Sequence, residues 1–257
     1  MIGHHGPDYP LLLLGAVLGL VFGSFLNVII HRFPRGETIG WSRSRCSHCH
    51  RPLSALDLIP VLSFLLLRGR CRHCREDISW RYPVVELGSA AMMVVILHIF
   101  GLGLAALFWA IFAWTTWGLV WTDIETQTLP DRLTIGLAMV GLAKALWLGV
   151  LVQSVLAAAA GALILLVIQG LGYLIYRKPV LGWGDVKLEA AIGAYWGLIH
   201  TLTGLYVGFI LGGVWALILV ITKRKSRTSY MPFGPALLAG IWIALLRGHV
   251  IREFLLG

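Results

Sequence analysis

The sequence predicts an all-α polytopic membrane protein, with about eight transmembrane helices and a small cytoplasmic zinc-binding subdomain between helices 1 and 2. Three observations carry that expectation. Of the 257 residues, 58% are hydrophobic and only 13% charged, where a soluble domain carries about a quarter charged residues. Apolar runs long enough to cross roughly 30 Å of hydrocarbon recur along the chain. The basic residues collect in alternate loops instead of spreading evenly. Composition alone excludes a soluble globular enzyme, a disordered chain and a secreted disulfide scaffold.

The first predicted span covers 11–30. No basic segment precedes it, and Asn27-Val28-Ile29 is not a small-residue cleavage site, so it reads as a retained span instead of a signal peptide. A polar gap follows, and then spans over 83–100, 103–122, 133–152, 155–176, 188–200, 202–222 and 233–247. The gap, 31–82, is the only stretch large enough for a subdomain outside the bilayer. The expected organisation is therefore 1–30 as N-terminal segment and first helix, 31–82 as zinc subdomain, and 83–257 as a seven-helix core. Within the gap, 58–67 is apolar but too short to cross, so it lies at the interface or covers the small domain.

Lys and Arg favour the cytoplasmic side. The gap holds ten arginines: Arg32, Arg35, Arg43, Arg45, Arg51, Arg68, Arg70, Arg72, Arg75 and Arg81. Arg132 follows span three; Arg177, Lys178 and Lys187 follow span five; Lys223, Arg224, Lys225 and Arg227 follow span seven. With the N-terminus outside and eight crossings, all of these face the cytoplasm, leaving only Lys144, Arg247 and Arg252 elsewhere. The formal charge of +9 then reports topology, and nucleic acid is not an expected partner.

All four cysteines lie in the gap, as Cys46-Ser-His-Cys49 and Cys71-Arg-His-Cys74. Paired CxxC knuckles point four sulfurs at one centre, a structural tetrathiolate zinc site with no open coordination position. A segment of this size buries too little core to hold itself, and a metal supplies the deficit. His48, His50 and His73 are the alternative ligands.

Only twelve Asp and Glu occur, and ionisable groups at membrane depth are functional candidates. Asp123 closes span three and Asp185, in Gly182-Trp-Gly-Asp185, precedes span six. Both fall at cytoplasmic span ends and can face each other. Adjoining carboxylates share a proton, a state suited to hydrolysing a peptide bond with one acting as base and the other as acid. The glycines at 182 and 184 let backbone approach Asp185. Asp131 reads as the N-cap of span four, Glu125 and Glu189 as pairing or supporting groups, and Lys144 as a snorkelling residue or buried ion-pair partner. Glu86, entering span two, is placed to answer an arginine or line a cofactor site.

These residues resemble a known family. Gly19-Leu-Val-Phe-Gly-Ser-Phe-Leu-Asn-Val-Ile-Ile-His-Arg-Phe-Pro34, the two knuckles, Asp57-Leu-Ile-Pro-Val-Leu-Ser-Phe64, Arg68-Gly-Arg-Cys71 and Ile78-Ser-Trp-Arg-Tyr-Pro-Val-Val-Glu86 are similar to the bacterial type IV prepilin peptidases. So are the 123–131 run, Gly182-Trp-Gly-Asp-Val-Lys187 and Pro232-Phe-Gly-Pro235. The resemblance covers nearly the whole chain in order. It implies a GxGD-type aspartic endopeptidase of the inner membrane with Asp123 and Asp185 as its catalytic pair. Such an enzyme removes the leader of prepilins and pseudopilins on the cytoplasmic side. It then methylates the new N-terminus from S-adenosylmethionine. No Gly-rich dinucleotide-type fingerprint marks a site for that cofactor, and its binding residues are not identified. The rival reading is a zinc-stabilised ion or proton transporter using the same aspartates.

Overall fold

A computed structural model of the chain describes residues 8–39, 43–222 and 232–256, with side chains as far as Arg247. The basic loop residues Lys223, Arg224, Lys225 and Arg227 lie outside the described residues. All regular structure among the described residues is helical: α1 Tyr9–Arg32, α2 Leu62–Leu66, α3 Arg81–Phe100, α4 Leu104–Thr126, α5 Asp131–Trp147, α6 Leu151–Tyr176, α7 Trp183–Trp196, α8 Leu198–Ile221 and α9 Gly234–Leu256. Every predicted span therefore has its helix, and the chain is a multi-pass membrane protein. Among the described residues, five of them are long and apolar enough to cross by length and composition (Tyr9–Arg35, Arg81–Phe100, Leu104–Thr126, Leu151–Tyr176 and Leu198–Ile221), with Gly234–Arg247 a shorter apolar helix. The expectation of eight crossings is not confirmed on that measure, because α5 and α7 have 17 and 14 residues and the last helix is covered only as far as Arg247.

Two predicted boundaries move. α4 continues to Thr126, so Asp123 lies inside its last turns instead of closing it. α7 starts at Trp183 and stops at Gly197, whose φ of 78° breaks the helix. Asp185 is thus in the first turn of α7, and α8 begins earlier than the sequence suggests.

The chain forms two compact units, residues 1–118 and 119–257, the boundary falling within α4. In the first unit α1 packs on α3 along a track of glycines four residues apart. A Cβ on Gly23 would meet Glu86 Cα at 2.7 Å, one on Gly15 would meet Val94 Cα at 3.2 Å, and Gly19 lies directly against Ala90. Lipid gives two apolar helices no hydrophobic reason to associate, so close backbone approach supplies the packing. Side-chain donors add to it. Asn27 Nδ2 donates to the Tyr82 carbonyl (3.2 Å) across the pair, and α4 is tied to both helices by Trp114 Nε1 donating to the Phe22 carbonyl (2.9 Å) and Trp117 Nε1 to the Val85 carbonyl (3.2 Å).

In the second unit α7 packs against α5 and α6, and α8 against α9. Most of α7 is buried, Asp185 and Glu189 included. A helix surrounded by protein has no need of an apolar surface all round, which explains how one so short and polar is kept. Glycines again set the approach. A Cβ on Gly193 would meet the Ala157 carbonyl at 2.5 Å and one on Gly204 would meet Ile241 Cα at 3.0 Å, while Gly240 lies against the Gly204 carbonyl.

Candidate functional site

Asp123 and Asp185, 62 positions apart in sequence, belong to the same unit and are 5% and 4% exposed. Asp123 reaches the first residue of α9: the Gly234 N–H donates to its Oδ2 at 3.0 Å. That N–H has no intrahelical partner at a helix start, where the macrodipole also favours a carboxylate. Asp185 turns back within its own first turn, its Oδ2 accepting the Gly182 N–H at 3.1 Å. The two carboxyl groups are close enough for the charge on Asp123 to act on Asp185.

Leu129 ties these parts together. A Cβ on Gly184 would meet Leu129 Cβ at 3.0 Å, and one on Gly234 would meet Leu129 Cδ2 at 3.3 Å and Asp123 Oδ2 at 2.7 Å. Gly234 is glycine because the carboxylate occupies the place of its side chain. Gly184 is matched to Leu129, while the cap on Asp185 comes from Gly182. Sequence reasoning missed Leu129 and Gly234. The helix-start pattern Phe-Gly-Pro was a usable signal for a free N–H, but nothing local names its acceptor 111 residues away.

The surrounding charges sort differently from expectation. Asp131 is not the N-cap of α5; Pro130 is, with no side-chain cap, and the Asp131 carboxylate instead takes the Lys187 ammonium at 2.8 Å. Lys144 meets no acid among the described residues. Its Nζ donates to the Tyr195 carbonyl at 2.9 Å and lies 3.9 Å from the Trp196 ring centre. This places a cation at the C-terminal end of α7, where free carbonyls gather. Glu189, one turn beyond Asp185 and within reach of its charge, is 1% exposed. Its Oε1 has no hydrogen-bond partner among the described residues. It packs where Gly161 leaves room, a Cβ there meeting Glu189 Cγ at 3.1 Å. Glu125 is exposed in the last turn of α4. Glu86 is buried, and its Oε2 takes the Val61 N–H at 2.7 Å.

The second candidate centre is in the first unit. The Sγ atoms of Cys46, Cys49, Cys71 and Cys74 lie within 4.8 Å of one another, and those of Cys46 and Cys74 are 3.8 Å apart. A tetrahedron with Zn–S bonds of about 2.3 Å has edges of about 3.8 Å. The two knuckles repeat one backbone pattern. Arg45 bridges Pro52 as Arg70 bridges Asp77. The Cys46 N–H donates to Arg51 as the Cys71 N–H donates to Glu76; His50 returns to Cys46 as Arg75 returns to Cys71. His50 and Arg75 both take left-handed φ, 55° and 63°. No repeat was legible in the sequence beyond the CxxC pairs, but their folded form is duplicated.

The N–H groups of Cys74 and His73 hold the Cys71 thiol down to about 6. At Cys74 the Glu76 amide pulls the same way, yet desolvation and the other three thiols push the group up to about 11. Four sulfurs this close cannot all carry charge unless a cation stands among them, so the donor set fits a thiophilic metal. The histidines stay outside: His73 Nδ1 contacts Arg51 at 3.4 Å and His48 lies 3.9 Å from Glu76.

Residues 17–100 match the bacterial peptidase A24 N-terminal domain, and residues 110–217 match the type IV leader peptidase family. The cysteines fall in the first match and both aspartates in the second. The prepilin leader peptidase/N-methyltransferase of Aeromonas hydrophila is 34% identical, covering 98% of this chain and 96% of the relative. That of Burkholderia pseudomallei (strain 1026b) is 38% identical over 87% and 81%, and that of Legionella pneumophila 34% over 97% and 96%. No solved structure matches the chain.

Proposed function

The chain belongs to the type IV leader peptidase family, and from that premise we propose that it removes the leader of type IV prepilins and pseudopilins with Asp123 and Asp185 as the catalytic pair. One aspartate takes a proton from water, whose oxygen attacks the carbonyl carbon of the scissile peptide. The other gives its proton to the carbonyl oxygen. When the tetrahedral diol collapses, the C–N bond breaks, the first aspartate passes its proton to the leaving nitrogen, and the second recovers the one it lent. The pair ends as it began.

The observation that carries this reading is the shared setting of the two carboxylates. They are buried in one unit, each is held by a glycine N–H, and Leu129 bridges the strips of backbone that hold them. Such fixing supports a preorganised pair, since a catalytic group held in place saves the entropy of finding it.

The four cysteines would hold zinc as a structural ion. It would bind the two knuckles of a loop that has little core of its own. The relatives' printed names include N-methyltransferase, which supports methylation of the freed N-terminus from S-adenosylmethionine. Glu86 takes the Val61 N–H on one of its two carboxylate oxygens, and no residue of the chain is assigned to that cofactor. The arginine distribution supports an inner-membrane orientation with the N-terminus periplasmic and both the zinc loop and the aspartates cytoplasmic.

The test is to incubate purified protein with a prepilin and S-adenosylmethionine and weigh the product N-terminus. Loss of the leader with gain of one methyl is expected. An intact leader overturns the protease reading, and a transporter using the same aspartates would give that result.

A further inference from the structure

The metal loop carries an apolar face that neither its thiolates nor its core uses. α2 has only five residues, and Phe64 is the one that turns inward. Its ring meets Trp80 at 4.8 Å between centres and lies over Gly69, where a Cβ would be 3.1 Å from it. Leu62, Leu65 and Leu66, at i, i+3 and i+4, share the opposite side and are 48%, 62% and 74% exposed. Trp80, at the start of α3, is 71% exposed.

The depth of this face is set by a hydrogen bond. Val61, the residue before α2, donates to Glu86, which lies five residues inside α3. At 1.5 Å per residue that is about 7.5 Å along the helix from its first residue. α3 is long and apolar enough to cross a bilayer, as is α1 on the other side of the loop. α2 is therefore held beside the first turns of a membrane span, a short way inside the exposed rings of Trp80 and Tyr82, residues of the kind that mark a membrane–water interface.

Charge completes the match. Arg70 and Arg72 are committed to Asp77 and Asp57. Arg68, next to the end of α2, is exposed and has no ion pair among the described residues. A leucine face with a free arginine at its rim is the chemistry of a segment lying in the headgroup layer.

We propose that α2 is an interfacial anchor: Leu62, Leu65 and Leu66 insert among the lipids beside α3 while Arg68 takes an anionic headgroup, so that the metal loop is fastened to the bilayer surface. The anchor does not depend on the protease reading.

To test it, an environment-sensitive fluorescent amino acid is placed at Leu66 or, as control, at exposed Glu76. The full-length protein is reconstituted in phosphatidylcholine vesicles with or without phosphatidylglycerol, using lipids brominated near the headgroup. The Leu66 probe should be blue-shifted and quenched at least about twofold more than the Glu76 probe, and more strongly with phosphatidylglycerol. Arg68→Glu should remove the phosphatidylglycerol dependence. Metal content equal to wild type certifies that each variant is folded. Equal quenching at both sites overturns the proposal. So does a Leu66 probe that lipid does not quench but an added prepilin protects, which would give the face to a protein partner.

Discussion

The cysteine loop and the aspartate bundle solve the same problem, holding acidic groups close together, by opposite means. In the loop the holding is local. Each knuckle closes on itself within eight residues, and the two are alike. In the bundle it is long-range. Asp123 depends on an N–H 111 residues away, and its position relative to Asp185 depends on Leu129 and two glycines. A locally built site can be restored by its own sequence and a metal, whereas one assembled from distant helices is only as exact as their packing.

The comparison is broken most directly at the aspartates. Asp123→Asn or Asp185→Asn should lower prepilin cleavage by on the order of 10²- to 10⁴-fold while the protein still inserts. Cleavage by purified variant, followed by the mass of the product, reads this out, and near-normal processing by either would remove that residue from the pair. In the loop, Cys71→Ser should bring bound metal close to zero and open the segment between α1 and α3 to protease. Wild-type metal content in that variant would show that the four sulfurs are not the ligands.

Gly234→Ala sharpens the contrast, because it adds one methyl group 111 positions from the group it displaces. The new Cβ would lie 2.7 Å from Asp123 Oδ2, so kcat should fall about tenfold to a hundredfold with KM little changed. An unchanged kcat would mean that Asp123 does not need this donor.

Two smaller effects bear on the loop and the bundle rim. Ser54 and then Arg72 hold the Asp57 carboxyl down to about 2 from its ordinary 3.8, within a capping box on the turn Ala55–Leu58. A lowered carboxyl stabilises above its unfolded value, so the contribution is whole above about pH 4 and lost as pH falls toward 2. Asp57→Asn should cost about 1 kcal/mol at neutral pH. The gap between variant and wild type should close in acid, and comparing the two cancels any acid release of metal. At the rim, Asp131 and Lys187 are about half exposed, at 57% and 45%. A double-mutant cycle on them should return only about 0.2–1 kcal/mol.

How much of this was readable from sequence follows the same division. The knuckles announce themselves because a CxxC turn is a local signal, and the apolar stretches mark every long helix. Asp123 and Asp185 stand out because charge is scarce in such a chain. Lys144 was misread because a lone cation in an apolar run suggests an acid or the interface. Its partners are instead a carbonyl and a ring brought by α7. Asp131 looked like a cap because Asp before an apolar run favours one, but the preceding proline took that place and tertiary packing offered Lys187. The count of crossings is not confirmed at α5 and α7, the two shortest of the predicted spans, and α7 is mostly buried by its neighbouring helices.

The contact of α8 with α9 limits where a peptide can enter. Gly240 rests on the Gly204 carbonyl, and Gly208 and Gly212 continue the seam against Leu237 and Phe233. Backbone against backbone leaves no width for an extended chain, and sliding α9 by a fraction of a turn would drive main chain into main chain. The seam is therefore a closed door. On the proposed mechanism, the scissile bond reaches Asp123 from another side.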